Sequence, residues 1–269
     1  MKDKRILFIS SELTPYLPET EVSKMAFEVP KEMHHQGAQI RMFMPRFGVI
    51  NERRHQLHEV IRLSGMNLII NDMDMPLIIK VASVPKERMQ VYFIDNEEYF
   101  KRKSVFTDED GVLFPDNDER AIFFAKGVVE TVKKLKWAPD VIHIHGWMAS
   151  LLPLYIKEYY KNDPLFAESK IVVSAFNYQT PGVSDFGGLV DKIKFDQIAD
   201  DKLESFQTEG NNSFMKVAIE NADAVIKGSE NLNDDLNAFI DSIGVPVLDY
   251  QPLESFTEAY SNFYLTEVL

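Results

Sequence analysis

The chain has 269 residues, no cysteine, and 42 acidic against 29 basic residues, which gives a formal net charge of −13. The absence of cysteine excludes disulfides, thiolate nucleophiles and cysteine-ligated metal centres. The negative charge opposes nucleic acids and anionic membranes, so neither is expected as a partner. No apolar run approaches the roughly 20 residues of a membrane-spanning helix, and Met1 to Lys4 lead directly into a strand-like run. We therefore expect a cytoplasmic protein; the sequence does not indicate an oligomeric state.

The first elements predict a βαβ unit. Arg5 to Ile9 is a short, nearly continuous apolar run, which is typical of a strand buried on both faces. From about Thr20 to Gln36 apolar residues recur at spacings of three and four, which predicts a helix that ends at Gly37. Pro30 is expected to bend or interrupt this helix. Gln39 to Met44 predicts the second strand.

Between residues 57 and 94 the pattern changes to short strands separated by turns. Polar, glycine or proline residues bound each of four predicted strands, which are Glu59 to Leu63, Asn67 to Ile70, Leu77 to Val84 and Gln90 to Ile94. We interpret this region as a β-rich insertion or a set of antiparallel edge strands.

Alternating helices and strands then resume. A long helix is predicted from Asp116, with Asp116 and Glu119 arranged like a capping box. The later predicted elements are a strand (Val141 to His145), a helix (Trp147 to Tyr160), a strand (Lys170 to Ser174), a helix (Asn212 to Asn221), a strand (Ala224 to Ile226), a helix (Glu230 to Ile240) and a helical tail (about 255–269). The alternation predicts a single α/β, Rossmann-like domain over residues 1–269, with a mostly parallel sheet and a ligand crevice beyond the strand carboxyl ends.

The loop after the first strand has the position of a phosphate-binding loop but not its chemistry. Residues 10–22 contain no glycine, and Glu19 and Glu21 lie where the helix is predicted to begin. A helix N-terminus offers unpaired N–H groups and a partial positive charge to an anion. The two carboxylates would occupy that end themselves and repel a diphosphate.

Five segments form an ordered pattern along nearly the whole chain. They are Ser11-Glu12 followed by Pro15, Met44-Pro45-Arg46-Phe47, residues 139–147, Tyr178-Gln179, and residues 212–225. This ordered set resembles the N-terminal half of bacterial glycogen synthases and plant starch synthases, and an ordered set is far harder to obtain by chance than one motif. The resemblance implies the first of the two Rossmann-like domains of a GT-B glucosyltransferase that uses ADP-glucose. It further implies that the second, donor-binding domain is missing and that the tail is the family's terminal crossover helix.

The resemblance also locates three departures from the family's pattern. The family's Lys-Thr-Gly-Gly, which gives a lysine and glycine backbone to the donor phosphates, corresponds here to residues 18–21, Pro-Glu-Thr-Glu. Its His-Asp-Trp-His corresponds to residues 145–148, His-Gly-Trp-Met, and its His-Asn pair before Tyr-Gln to Ser174 and Ala175. We therefore expect no catalytic residue, no cofactor and no metal ion.

Seven residues are candidates for a retained glucan or ligand cleft, namely Glu12, Tyr16, His145, Trp147, Asn177, Tyr178 and Gln179. Each has an alternative structural role. Glu12 suits a ligand or a hydrogen bond at a helix end, and His145 suits a ligand or a buried bond to backbone. Trp147 suits a sugar platform or a packing anchor, and Asn177, Tyr178 and Gln179 suit an ordered loop.

Three functions are compatible with these features. The first is a catalytically inactive module that binds α-glucan or pairs with another protein in a regulatory role. The second is a glucosyltransferase from ADP-glucose to an α-1,4-glucan, completed in trans by a separate donor domain. The third is an unrelated small-molecule enzyme that reuses the cleft. Transfer depends on cations and dipoles placed around the leaving phosphate, so changes in three site elements favour the first.

Overall fold

A mixed sheet lies at the centre of the domain. The computed structural model describes residues 1–177, 186–206 and 212–269. The strands in these residues are β1 (Arg5–Ser10), β2 (Gln39–Pro45), β3 (His58–Glu59), β4 (Met66–Ile70), β5 (Met73–Ser83), β6 (Gln90–Asp95), β7 (Val141–His145), β8 (Lys170–Ala175), β9 (Ala224–Lys227) and β10 (Val247–Leu248). Their order is β10-β9-β8-β7-β1-β2-β6-β5-β3, with β4 paired to β5. The strands from β10 to β6 are parallel, which confirms the predicted α/β fold.

Helices connect the parallel strands. In the described residues they are α1 (Glu21–His35), α2 (Glu52–His55), α3 (Glu97–Phe100), α4 (Asn117–Leu135), α5 (Leu152–Leu154), α6 (Leu189–Phe195), α7 (Ser213–Glu220), α8 (Asp234–Ile243) and α9 (Phe256–Phe263). The described residues also contain three 3₁₀ turns, Trp147–Ala149, Asp200–Lys202 and Glu204–Phe206. Two π-helical turns complete the helical elements, Tyr155–Tyr159 and Tyr264–Val268. None of these helices is both long and apolar enough to cross a membrane.

α1 runs without a break through Pro30, so the predicted interruption is wrong. Val29 and Pro30 are buried, and Met33 is buried one turn later. Most helical stability in proteins comes from packing of the apolar face, and here that packing extends on both sides of the proline. The helix ends as predicted before Gly37, which has a positive φ of 92°.

Residues 57–94 are β-rich, as predicted, and include antiparallel edge strands, but their last strand belongs to the parallel sheet. β6 pairs in parallel with β2 and places Pro45 opposite Ile94. Only β3, β4 and β5 are antiparallel. The predicted strand Glu59 to Leu63 is replaced by the two-residue strand β3. It ends early because the N–H groups of Leu63 and Ser64 donate to the Val60 carbonyl and close a turn.

One predicted capping box and one predicted helix start are wrong, whereas α4 begins where the sequence predicts. Asp116 precedes α4 but makes no side-chain cap, because both of its carboxylate oxygens accept hydrogen bonds from Arg102 at 2.6 and 2.5 Å. α8 begins at Asp234 rather than near Glu230. Its cap is Asn233, whose Oδ1 accepts from the Leu236 N–H at 2.8 Å.

The predicted helix from Trp147 to Tyr160 is broken into a 3₁₀ turn, a short α-helix and a π-helical turn. Gly146 enters this segment at φ 82° and ψ 150°, which is far from helical geometry. Pro153 lies in the middle and lacks the N–H that a continuous helix would need.

The C-terminal tail packs onto the domain through buried hydroxyl groups. The Ser261 hydroxyl lies 2.8 Å from Oε1 of Gln36 at the end of α1. The Tyr264 hydroxyl lies 2.5 Å from Nδ1 of His143 in β7. Nε2 of His143 lies 2.7 Å from the Ser174 hydroxyl, which is also hydrogen-bonded to Tyr260. Burial holds the pKa of His143 well below its usual value, so the ring is neutral, with one nitrogen a donor and the other an acceptor.

Tyr264→Phe tests the contribution of this buried chain to stability. The variant leaves Nδ1 of His143 without its partner, and an unpaired buried polar group costs about 1–3 kcal/mol. We expect urea denaturation to report a loss of that size in the free energy of unfolding. The control is Tyr250→Phe, because Tyr250 is half-buried and its hydroxyl has no hydrogen-bond partner in the described residues. Equal stability of the two variants would contradict the prediction.

Candidate functional site

The candidate site lies where the strand order reverses. β2 follows β1 on one side, and β7 lies on the other. In an open parallel sheet, such a switch point is where ligands bind, beyond the carboxyl ends of the strands. Ser10 at the end of β1 lies opposite His145 of β7, and His145 lies opposite Ser174 of β8. The loop from Ser11 to Thr20 runs over this edge and leads into α1.

The N-terminus of α1 is capped by its own side chains. The Thr20 hydroxyl accepts a hydrogen bond from the Ser23 N–H at 3.0 Å, and the Ser23 hydroxyl accepts one from the Thr20 N–H at 2.8 Å. This reciprocal arrangement is a capping box, with serine in the position usually held by glutamate or glutamine. A helix-terminal N–H group that a phosphate would need is therefore already satisfied.

Glu12 and Glu21 form internal hydrogen bonds near this helix start, whereas Glu19 pairs with Lys24 at 3.5 Å. Oε2 of Glu12 accepts from the Thr20 hydroxyl at 2.8 Å. Burial raises the pKa of Glu12, and the bond from Thr20 partly opposes that rise. Oε2 of Glu21 accepts from the Ser229 hydroxyl at 2.5 Å, and the Ser229 hydroxyl accepts from the Asn177 N–H at 2.8 Å. Glu21 thus joins the start of α1 to the segments that follow β8 and β9.

His145 is buried against other rings. It is 1% exposed, and its ring centroid lies 4.1 Å from that of His143 and 6.0 Å from that of Phe176. Burial lowers the pKa of His145 to about 3, so it is neutral at pH 7. Neither ring nitrogen has a hydrogen-bond partner in the described residues, and the neighbouring Ser11 hydroxyl has none either. The bond to backbone that the sequence allowed is therefore absent.

Trp147 packs among aromatic side chains. It is 2% exposed, and its indole lies 5.0 Å from the ring of Phe106 and 5.6 Å from that of Phe214. Of the two roles that the sequence allowed, this is the packing anchor, because no face of the indole is open to a sugar.

Gly146 is held in place by a close approach to the β1 end. Its φ of 82° and ψ of 150° belong to a region that is essentially restricted to glycine. A Cβ atom at this position would overlap the Ser11 hydroxyl, at a distance that real Cβ atoms do not reach. The aspartate that the resemblance places here would not fit this backbone.

The remaining candidate cleft residues do not converge on one point. Tyr16 turns towards α2 and β6, where its ring lies 4.9 Å from those of His55 and Phe93. The Asn177 side chain is exposed. Tyr178 and Gln179 lie outside the described residues. Binding of a glucan by these residues stays a prediction.

Sequence reasoning missed Ser23 and Ser229, which complete the hydrogen bonds at this edge. The spacing Thr20-x-x-Ser23 is a weak capping signal that was available in the sequence. Nothing in the sequence signals Ser229, which is 208 residues from its partner Glu21. The described residues hold no group of three or more metal-ligating side chains.

Comparison with known proteins assigns the chain to a family. The family described as starch synthase catalytic domain matches residues 5–241. The glycogen synthase of Chlorobium limicola is 37% identical over 183 residues, 68% of this chain and 37% of the relative. That of Chlorobium luteolum is 33% identical over 230 residues, 85% of this chain and 46% of the relative. The chain therefore spans less than half the length of these curated relatives.

A solved structure has the same fold. The catalytic domain of starch synthase IV from Arabidopsis thaliana, bound to ADP and acarbose, superposes with a TM-score of 0.71 at 16% identity. The superposition covers 93% of this chain and 51% of that chain. The fold is thus that of about half of a GT-B starch synthase catalytic domain, as predicted. By its sequence, the chain belongs to the starch synthase catalytic domain family.

Gly146→Ala tests how tightly the β7 end is packed against Ser11. The added methyl group would overlap the Ser11 hydroxyl and occupy a disallowed backbone region, so we expect a loss of about 2–4 kcal/mol in the free energy of unfolding. The control is Gly65→Ala, because Gly65 has a φ of 81° but nothing within 4 Å of an added Cβ. That variant should lose about 1–2 kcal/mol. Equal losses in chemical denaturation would refute the close packing.

Proposed function

We propose that these 269 residues act in α-glucan metabolism as a glucan-binding or regulatory module that does not itself transfer glucose. Membership of the starch synthase catalytic domain family supports the metabolic context. The capped N-terminus of α1 carries the proposal of inactivity, because Thr20 and Ser23 already satisfy one another there.

Electrostatics at the helix start supports the same conclusion. Stabilising a leaving diphosphate requires cations and N–H dipoles aimed at it. Glu19 and Glu21 bring negative charge to this end of α1. Lys24, which is one turn further, forms an ion pair with Glu19 at 3.5 Å. No cation of the β1–α1 loop takes the place of the lysine that the resemblance puts at Pro18.

The residues at the carboxyl ends of β7 and β8 independently support the proposed absence of glucose transfer. Ser174, at the position of the family's histidine, is buried and bonded to His143. His145 and Trp147 are buried as well. The groups that would face a transferred sugar are therefore replaced or packed into the core.

The test is an assay of glycogen binding and glucose transfer on the same preparation. We expect the protein to co-sediment with glycogen, and not with cellulose, which is a β-linked glucan. We expect no incorporation of labelled glucose from ADP-glucose into glycogen. Absence of co-sedimentation would contradict glucan binding and favour a protein partner, whereas incorporation by the chain alone would contradict the proposal.

The same assay includes a variant that carries the family's loop, Pro18→Lys, Glu19→Thr, Thr20→Gly and Glu21→Gly. It should remain inactive, because Gly146, Met148 and Ser174 are unchanged. It should also be less stable, since loss of the Thr20 cap alone costs about 1 kcal/mol. Incorporation of glucose by this variant would mean that the loop alone blocks transfer. Gain of activity only on addition of a separate donor domain would favour the alternative, a transferase completed in trans.

A further inference from the structure

Two neighbouring buried histidines differ in their hydrogen bonding. The ring centroids of His143 and His145 lie 4.1 Å apart. Both nitrogens of His143 are bonded, one to the Tyr264 hydroxyl and the other to the Ser174 hydroxyl. Neither nitrogen of His145 has a partner among the described residues, and the buried Ser11 hydroxyl has none there either. Buried polar groups are almost always paired, so an arrangement that admitted water to His145 and Ser11 would gain hydrogen bonds that the closed one lacks.

Phe176 shields His145 on the side of β8 and β9. Its ring centroid lies 6.0 Å from that of His145. The same ring packs against Gly228, where an added Cβ atom would lie 2.5 Å from it. The Gly228 N–H donates to the Ala175 carbonyl at 2.7 Å, so backbone pairing of the two strands extends to this point. The segments that follow Phe176 and Gly228 are held by a side chain instead.

The Ser229 hydroxyl fastens these segments to α1. It accepts a hydrogen bond from the Asn177 N–H at 2.8 Å and donates one to Oε2 of Glu21 at 2.5 Å. Asn177 and Ser229 directly follow Phe176 and Gly228 in the chain. β7 and β8 separate β1 from β9 in the sheet, so the bond between Glu21 and Ser229 spans the carboxyl ends of both strands. We call Glu21, Ser229 and Asn177 the latch.

The latch is attached to α1 by one hydrogen bond at the protein surface. Glu21 is exposed, and within the described part of the chain its carboxylate contacts only the Ser229 hydroxyl and forms no ion pair. Water competes for such a bond, so its net contribution is modest. Ser229 itself is 5% exposed. Loss of a single surface bond is therefore enough to release Ser229 from α1.

We propose that the latch is a conformational switch, which holds Phe176 against His145 when closed and exposes the His145 ring and the Ser11 hydroxyl to solvent when open. The unpaired atoms beneath Phe176 favour the open arrangement, and the bond between Glu21 and Ser229 opposes it. Glu21 lies in the first turn of α1, so any contact that displaces this turn uncovers His145. The switch goes beyond the proposed glucan-related function and does not depend on it.

Carbethoxylation of the full chain by diethyl pyrocarbonate tests the latch, with mass-spectrometric fragments that separate residues 143 and 145. The reagent acylates an accessible, unprotonated ring nitrogen, so the reaction rate of His145 reports the population of the open arrangement. We expect His145 to react much more slowly than the exposed His58. Ser229→Ala removes both latch bonds and should accelerate the reaction of His145 at least about tenfold. His143 should stay unreactive, because both of its nitrogens remain bonded.

Matched variants separate the latch from other effects of substitution. Ser242→Ala is the control for Ser229→Ala, because the Ser242 hydroxyl bonds to the Phe239 carbonyl of its own helix at 2.7 Å. Glu21→Ala should accelerate the reaction of His145 as Ser229→Ala does. Glu21→Gln keeps an acceptor and should stay within about threefold of the unmodified protein. Glu19→Ala removes the same charge beside the same helix start but touches no latch residue, so it should have no effect.

Three results would overturn the proposal. The first is an unchanged rate at His145 in Ser229→Ala. The second is an equal acceleration in Glu19→Ala and Glu21→Ala, which would assign the effect to charge at the helix start. The third is an equal rise at His143 and His145, which would mean that the reagent reaches both rings through unfolding of the domain rather than through the latch.

Discussion

The reciprocal hydrogen bonds between Thr20 and Ser23 determine what the carboxyl edge of this sheet can do. A helix that begins beside a strand end normally offers free N–H groups and a partial positive charge at that point. Here the Thr20 and Ser23 side chains satisfy each other's N–H groups at the start of α1. Glu12 then accepts from Thr20, and Glu21 accepts from Ser229. Of the two carboxylates that oppose a phosphate in the sequence, Glu21 ties α1 to the segment after β9 and Glu19 pairs with Lys24. Glu12 ties the start of α1 to its own loop.

A second set of buried hydrogen bonds surrounds His143 in the neighbouring strand β7. The tail brings Tyr264 to His143, and His143 contacts Ser174. Ser174 supplies the hydroxyl for this contact, and burial keeps the His143 ring neutral. Gly146 allows the β7 end to approach Ser11 more closely than any other residue would. The changes at 18–21, 146 and 174 are therefore mutually compatible parts of one packed edge.

Much of the fold could be predicted from the sequence because buried parallel strands and amphipathic helices have local patterns. Errors arose where a distant residue intervened. Arg102 takes the carboxylate of Asp116 and removes a cap, and pairing with β2 brings β6 into the parallel sheet. The candidate site was located by its strand ends, but its contacts depend on partners such as Ser229 and Tyr264, far away in sequence.

The central claim is that the edge of the sheet at α1 no longer accepts a nucleotide diphosphate. Calorimetric titration of the unmodified chain with ADP-glucose tests it most directly. We expect no heat of binding. A dissociation constant of about tens of micromolar would contradict the claim.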